Sequence, residues 1–232
     1  MTSTDVGHRG HDGAMIPIPE IDDSSTRWHS EGNDPSRPLI VLIHGYGADE
    51  HDLIALASSL PTGFDYAAVR GPLTPPFPMP GCSWYPLEGE GSGDIDVITE
   101  STNRLLAWLD SLGRTGPVGL VGFSQGGVLA VHAMRLRPEA FAFAGNLSGY
   151  VMPGGEMPGD ETLAERRPPV FWGRGSSDDV IPEGLVVHTT DWLPGHADIV
   201  GRTYLGLGHA VAPDEVADLN VFLTKQLEAL GC

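Results

Sequence analysis

Apolar runs that end at glycine alternate with segments of helical spacing over most of this chain. The run "PLIVLIHG" at 38–45 is almost entirely apolar, which is typical of a strand buried on both faces of a sheet. The segment 49–60 follows it with apolar residues at helical spacing and with Asp49 in the place of an N-cap. Strands that alternate with helices predict a mostly parallel sheet covered by helices on both faces.

The same alternation continues toward the C-terminus. Residues 1–37 are polar, and we expect them to form a partly disordered segment or an edge strand, ahead of one α/β domain over 38–232. The further strands are expected at 65–72, 117–123, 140–149, 168–175 and 198–206, and the further helices at 94–113, 124–138 and 213–230.

The charge balance limits the partners of this chain. Its formal net charge is −18, which disfavours nucleic acid and anionic membrane surfaces. The two cysteines, Cys82 and Cys232, provide neither a disulfide framework nor a cysteine metal site. The sequence shows no signal-peptide pattern and no apolar stretch of about 18 residues. We therefore expect a soluble cytoplasmic protein without stable membrane association.

Three chemically distinct side chains follow three of the predicted strands. Ser124 lies in "GFSQGG", Asp178 in "GRGSSDDVIP" and His209 in "GLGHAV". Ligands bind at the carboxyl ends of the strands in open parallel sheets, so we expect these side chains to meet there. Glycines around a serine allow a sharp elbow that exposes its hydroxyl, and the chain order Ser, Asp, His is that of an α/β-hydrolase triad.

These residue types suit nucleophilic catalysis. A serine hydroxyl is a weak nucleophile that needs a base within hydrogen-bond reach, and a carboxylate orients that base. His209 is the candidate base for Ser124. The alternatives are that Ser124 only caps a helix, that Asp178 only caps a turn, and that His209 is an ordinary loop histidine.

Four motifs together resemble the phospholipase/carboxylesterase family of α/β-hydrolases, which is related to the acyl-protein thioesterases. They are "HGYGADEHDL", "GFSQGG", "GRGSSDDVIP" and "GLGHAV", and the resemblance extends from about Leu39 to Leu230. It implies an α/β-hydrolase fold without a large lid domain, and hydrolysis of carboxylic esters or thioesters. The family pattern G-x-x-D-x-x-[VI]-P favours Asp178 over Asp179 as the catalytic acid.

The oxyanion of an acyl-transfer reaction needs preorganised N–H donors. We expect them from the backbone of Gln125, directly after the nucleophile, and of Tyr46 in the "HGYG" turn. His44 is expected to order that turn. A metal shared by His44 or His51 with Asp49 or Asp52 fits no recognised ligand pattern, so we expect neither a metal nor a cofactor.

A proline-rich loop after the second strand carries candidate pocket residues. They are Phe77, Met79, Trp84 and Tyr85, and they wall an apolar acyl pocket beside Ser124 or, alternatively, hold the loop to the body of the domain. Four acidic residues that follow would repel anionic substrates if they border the pocket: Glu88, Glu90, Asp94 and Asp96.

The residues and the resemblance together leave three functional hypotheses. The first is a serine carboxylesterase that forms an acyl-enzyme with short-to-medium acyl chains. The second is an activity of the acyl-protein thioesterase or lysophospholipase type, and the third is a non-catalytic protein that binds a ligand in a hydrolase fold. The expected partner is a small-molecule ester, and a homodimer is one possible assembly.

Overall fold

The computed structural model describes residues 17–30, 34–87 and 93–231. Its strands are β1 (Arg27–His29), β2 (Leu39–Ile43), β3 (Asp65–Val69), β4 (Val118–Phe123), β5 (Phe143–Leu147), β6 (Pro169–Gly175) and β7 (Asp198–Tyr204). They form one sheet in the order β1-β3-β2-β4-β5-β6-β7. Only the β1–β3 pair is antiparallel among these strands.

Helices cover both faces of the sheet. They are α1 (Glu50–Ile54), α2 (Ile95–Ser111), α3 (Gln125–Leu136), α4 (Asp160–Arg166), α5 (Glu183–His196) and α6 (Pro213–Ala229). One apolar cluster packs α2, α3, α4 and α5 against the first face, and a second packs α1 and α6 against the other. The prediction of a mostly parallel sheet with helices on both faces is confirmed.

The central strands are buried because they are apolar on both sides. Every residue of β2 and β3 is buried, and β2 lies between β3 and β4 in parallel register. The Asp49 side chain accepts the His51 N–H and so caps α1, as expected. That helix is shorter than expected, because the chain turns after Ile54 and forms a 3₁₀ turn at Ala57–Ser59.

Two helices have no counterpart in the sequence interpretation. Helix α4 has only seven residues, which is too short for a clear period. Helix α5 contains Pro194 and buries only Thr189 and Leu193 fully, so it has no apolar stripe of the usual width. Proline inside a predicted helix argues against that helix, and here the tertiary contacts override it.

The N-terminal segment contributes β1, which pairs with β3 at the edge of the sheet. The expectation for residues 1–16 lies outside the described residues. Over the part of the chain that the structure describes, no helix combines the length and the apolar character needed to cross a membrane. The connections between the described strands carry no separate lid domain.

Candidate active site

Ser124 stands at the junction of β4 and α3 with a backbone that few side chains adopt. Its φ is 54° and its ψ is −117°. The Ser124 N–H donates to the Leu147 carbonyl of β5 at 2.8 Å, which fixes this turn to the sheet. A Cβ on Gly122 would overlap the backbone of Gly126, and one on Gly126 would overlap the Ile43 carbonyl. The glycines therefore permit a tight elbow, at which strain is tolerated for function.

The structure brings Ser124, His209 and Asp178 into one hydrogen-bonded chain. His209 Nε2 lies 2.9 Å from Ser124 Oγ, and His209 Nδ1 lies 2.8 Å from Asp178 Oδ2. An ionised carboxylate only accepts hydrogen bonds, so Nδ1 carries the ring proton and Nε2 accepts from the serine hydroxyl. The His209 and Asp178 side chains are 14% and 5% exposed, so solvent has little access to their contact.

The two neighbouring aspartates have different surroundings. Asp178 Oδ2 faces His209, while its Oδ1 accepts the N–H groups of Val180 and Ile181 at 3.0 and 3.3 Å. Asp178 therefore caps the turn and contacts His209 at the same time. Asp179 is exposed to solvent. Of the two carboxylates, that of Asp178 contacts His209.

One candidate oxyanion donor directly follows Ser124, and the other lies in the turn after β2. Gln125 is the first residue of α3, where a helix leaves N–H groups without an intrahelical acceptor. Tyr46 follows Gly45, and a Cβ on Gly45 would lie 3.3 Å from Ser124 Cβ. The backbone that leads into Tyr46 therefore passes directly beside the serine. Both N–H groups remain candidates for the oxyanion hole.

Sequence reasoning missed the role of the Gln125 side chain. Its Oε1 accepts the Trp84 N–H at 3.0 Å, and its Nε2 donates to the Tyr85 carbonyl at 2.8 Å. The amide thereby joins the first turn of α3 to the loop that follows β3. The position of Gln125 directly after Ser124 indicates a role for its backbone N–H. No sequence pattern indicates which loop its side chain binds.

His44 holds the "HGYG" turn through both ring nitrogens. Nε2 accepts the Gly71 N–H at 2.9 Å, so Nδ1 carries the proton and donates to the Gly45 carbonyl at 2.7 Å. Burial lowers the pKa of His44 and so favours this neutral form. The Trp84 indole N–H donates to the His44 carbonyl at 2.9 Å. These hydrogen bonds fix the turn that contains Tyr46.

The candidate pocket residues separate into two groups. Trp84 and Tyr85 are 0% and 1% exposed and belong to the core on the α2–α3 side. For these two the pocket expectation is corrected in favour of the alternative, because their burial holds the loop to the domain. Met79 is 45% exposed, and its sulfur would lie 2.7 Å from a Cβ built on Gly47 in the "HGYG" turn. Phe77 is 97% exposed.

The acidic residues after the loop are placed unequally. Glu88 and Glu90 lie outside the described residues. Asp94 caps α2 by accepting the backbone N–H groups of Asp96 and Val97 at 2.8 and 3.3 Å. Asp94 and Asp96 therefore belong to the start of a helix.

Three side chains at the start of α1 lie close enough to share a cation. Asp49, Glu50 and His51 have ligand atoms within 4.8 Å of one another, and His44 is not among them. Both Glu50 carboxylate oxygens instead accept from Arg70 at 2.6 Å. His51 Nδ1 contacts Asp49 at 3.1 Å. Glu50 and Arg70 therefore form an ion pair at the start of α1, beside the contact between His51 and Asp49.

Comparison with known proteins places this fold and site in context. The model of the phospholipase/carboxylesterase family matches residues 29–227. Acyl-protein thioesterase 1 of Saccharomyces cerevisiae is 24% identical over 216 residues, which cover 84% of this chain and 95% of the relative. A probable SOBER1-like carboxylesterase of Arabidopsis thaliana is 23% identical, with 93% and 89% covered.

Solved structures agree in fold. The crystal structure of esterase PE8 superposes with a TM-score of 0.70 at 26% identity, covering 89% of this chain and 99% of that one. The Bacillus cereus carboxylesterase has a TM-score of 0.72 at 22% identity, covering 87% and 93%. The expected α/β-hydrolase fold is confirmed. With a family match over most of its length, the chain belongs to the phospholipase/carboxylesterase family.

Proposed function

We propose that this protein is a serine carboxylesterase that works through an acyl-enzyme. The observation that supports this most is the continuous chain of hydrogen bonds from Asp178 through His209 to Ser124, with both contacts below 3 Å. Ser124 is the nucleophile, His209 the general base, and Asp178 the carboxylate that fixes the imidazole tautomer. This is the arrangement that activates a serine hydroxyl.

The proposed reaction has two stages, acylation and deacylation. Ser124 Oγ attacks the ester carbonyl carbon while His209 Nε2 takes its proton, and the Tyr46 and Gln125 N–H groups stabilise the oxyanion. The imidazolium then protonates the leaving alkoxide as the C–O bond breaks, which leaves an acyl-enzyme. Water attacks this ester with His209 again as base, and the carboxylic acid and free Ser124 are released.

The substrate class we propose is a small ester with a short-to-medium acyl chain. Met79 lies against Gly47 in the "HGYG" turn that carries Tyr46, and it offers an apolar surface there. The second candidate is a thioesterase, because several relatives carry the name acyl-protein thioesterase. The same triad serves both reactions, since only the leaving group changes from an alkoxide to a thiolate.

The test combines turnover with covalent labelling. Chromogenic esters and matched thioesters of graded acyl length are assayed with the wild-type protein and with Ser124→Ala. The control is Ser58→Ala, which removes an exposed hydroxyl of the 3₁₀ turn at Ala57–Ser59. We expect Ser124→Ala to lower kcat/KM by about 10³-fold or more and to abolish labelling by a fluorophosphonate. Ser58→Ala should match the wild type.

Two results would contradict the proposal. One is a Ser124→Ala rate within about tenfold of the wild type, since triad members act as a unit. The other is a folded wild-type protein that turns over none of the esters or thioesters, which would favour the ligand-binding alternative. The ratio of kcat/KM for matched esters and thioesters decides between the two enzymatic candidates.

A further inference from the structure

Glu215 is a buried carboxyl group that the proposed mechanism does not use. It is the third residue of α6 and is 0% exposed. Neither of its carboxyl oxygens has a hydrogen-bond partner among the described residues. An acid in the first turn of a helix is normally stabilised in its charged form by the helix dipole. A buried charge without a partner is instead costly, so this position favours an uncharged carboxyl.

The Glu215 carboxyl rests on β6 at Gly173. A Cβ on Gly173 would overlap Glu215 Oε1, so the glycine makes room for the acid. The Gly173 carbonyl accepts the Ser148 N–H at 2.8 Å, and the adjacent Leu147 carbonyl accepts the Ser124 N–H at 2.8 Å. Glu215 therefore lies against the strand whose hydrogen bonds lead in two steps to the backbone of the nucleophile.

The same contact connects the segments that carry the base and the acid. Helix α6 begins at Pro213, four residues after His209, and β6 ends at Gly175, three residues before Asp178. Glu215 therefore packs between the helix that follows the His209 loop and the strand that leads into the Asp178 loop.

The titratable and charged side chains of α6 and of β7 contact one another rather than the Glu215 carboxyl. Asp214 and Asp218 lie on the same helix, and the Tyr204 hydroxyl of β7 donates to Asp218 at 3.0 Å. Arg202 Nε lies 3.5 Å from the Asp218 carboxylate. On the side of β6, the atoms near the Glu215 carboxyl are those of Gly173 and Phe171. Burial raises the pKa of Glu215 to about 7, and the nearby Ala212 N–H, which does not reach hydrogen-bond geometry, opposes this rise to a smaller extent.

We propose that Glu215 is a positioning residue that works in its protonated form. The neutral carboxyl fills the space between α6 and β6 and keeps His209 and Asp178 in register with Ser124. Loss of its proton to solvent places an unpaired charge in this junction and displaces the two loops. This inference rests on the proposed serine hydrolase function and adds to it a loss of activity on the alkaline side.

The first experiment measures Ser124 reactivity against pH. A triad with a histidine base gains reactivity as pH rises and then levels off, so a decline above neutrality reports a second group. The rate of fluorophosphonate labelling is followed from about pH 5 to about pH 9 for the wild type and Glu215→Gln, which keeps the shape without the charge. We expect the wild-type rate to fall by about tenfold per pH unit above neutrality and the Gln variant to stay level.

The second experiment measures urea unfolding over the same pH range. The pKa of Glu215 is raised in the folded state, so its contribution to stability is present below the unfolded value and is lost as pH rises through 4.5 to about 7. Relative to Glu215→Gln, the wild-type unfolding constant should rise by about 10²-fold across this interval. Glu161→Gln is the matched control, because Glu161 is an exposed first-turn acid of α4.

The outcomes separate this inference from the proposed function. An alkaline decline of the labelling rate that persists unchanged in Glu215→Gln overturns the positioning role, even if the stability difference is found. Parallel unfolding curves for the two proteins overturn the buried proton. Absence of ester turnover with intact labelling and the expected pH difference contradicts the esterase proposal and leaves the role of Glu215 supported.

Discussion

At the scale of single residues, Asp178, the acid of the proposed triad, has two separate contacts. Asp178 uses Oδ2 for His209 and Oδ1 for the backbone of the turn. We expect Asp178→Asn to lower kcat/KM by about 10³- to 10⁴-fold, because an amide in this place favours the wrong imidazole tautomer. The measurement is steady-state hydrolysis of a chromogenic ester, with unfolding monitored to show that the fold is intact.

The control for this prediction is the next residue. Asp179→Asn makes the same chemical change on an exposed side chain and should alter kcat/KM by less than about twofold, as is usual for surface substitutions. A larger loss for Asp179→Asn than for Asp178→Asn would reassign the acid by one position.

At the scale of elements, the strand–elbow–helix unit depends on close backbone contact. Gly126 in α3 approaches the Ile43 carbonyl at the end of β2, so that a Cβ has no room. Gly126→Ala should destabilise the protein by about 1–3 kcal/mol through overpacking, and it should also reduce activity, because the helix that follows Ser124 must shift. Urea unfolding and ester hydrolysis of the same sample test both effects.

A glycine in an uncrowded helix provides the comparison. Gly195 lies in α5 with nothing within 4 Å of its Cβ position. Gly195→Ala should therefore stabilise the protein, by about 0.5–1 kcal/mol, because alanine loses less backbone entropy in a helix. Equal destabilisation by both substitutions would show that the elbow contact has no special role.

The elements differ in how well the sequence predicts them. Strands such as β2 were predictable because a continuous apolar run has few other solutions. Helix α5 was not, since Pro194 argues against it and its stability depends on contacts with distant parts of the chain. Glu215 resembles an ordinary exposed first-turn acid in the sequence. Its burial arises from Gly173, more than forty residues earlier, which no local pattern indicates.

At the scale of the whole molecule, a second buried group titrates in the opposite sense to Glu215. His132 of α3 is 1% exposed, and its Nε2 donates to Thr99 Oγ1 of α2 at 2.8 Å. The Thr99 hydroxyl itself donates to the Ile95 carbonyl, so it accepts from the histidine. His132 Nδ1 has no partner among the described residues. Burial lowers the pKa of His132 to about 4.

The folded pKa of His132 lies below its unfolded value of 6.5. Above 6.5 the group is neutral in both states, and as pH falls from 6.5 to about 4 the unfolded state alone takes up the proton. Stability is then lost by an amount on the order of 3 kcal/mol, at about 1.4 kcal/mol per pK unit. Glu215 contributes a change of similar size in the opposite direction as pH falls from about 7 to 4.5.

Between about pH 4.5 and about pH 6.5 the two contributions to unfolding free energy should therefore oppose each other. His132 and Glu215 lie on opposite faces of the sheet, where effects of distant substitutions add. Relative to the wild type, the unfolding free energy of Glu215→Gln should fall toward acid pH, and that of His132→Gln should fall toward neutral pH. The unfolding free energy of the double variant should depend on pH as that of the wild type does. The measurement is urea unfolding at several pH values, with His29→Gln on the exposed edge strand as the control. The assignment of these two groups would be contradicted if the difference in unfolding free energy from the wild type changed with pH in the same direction in both single variants.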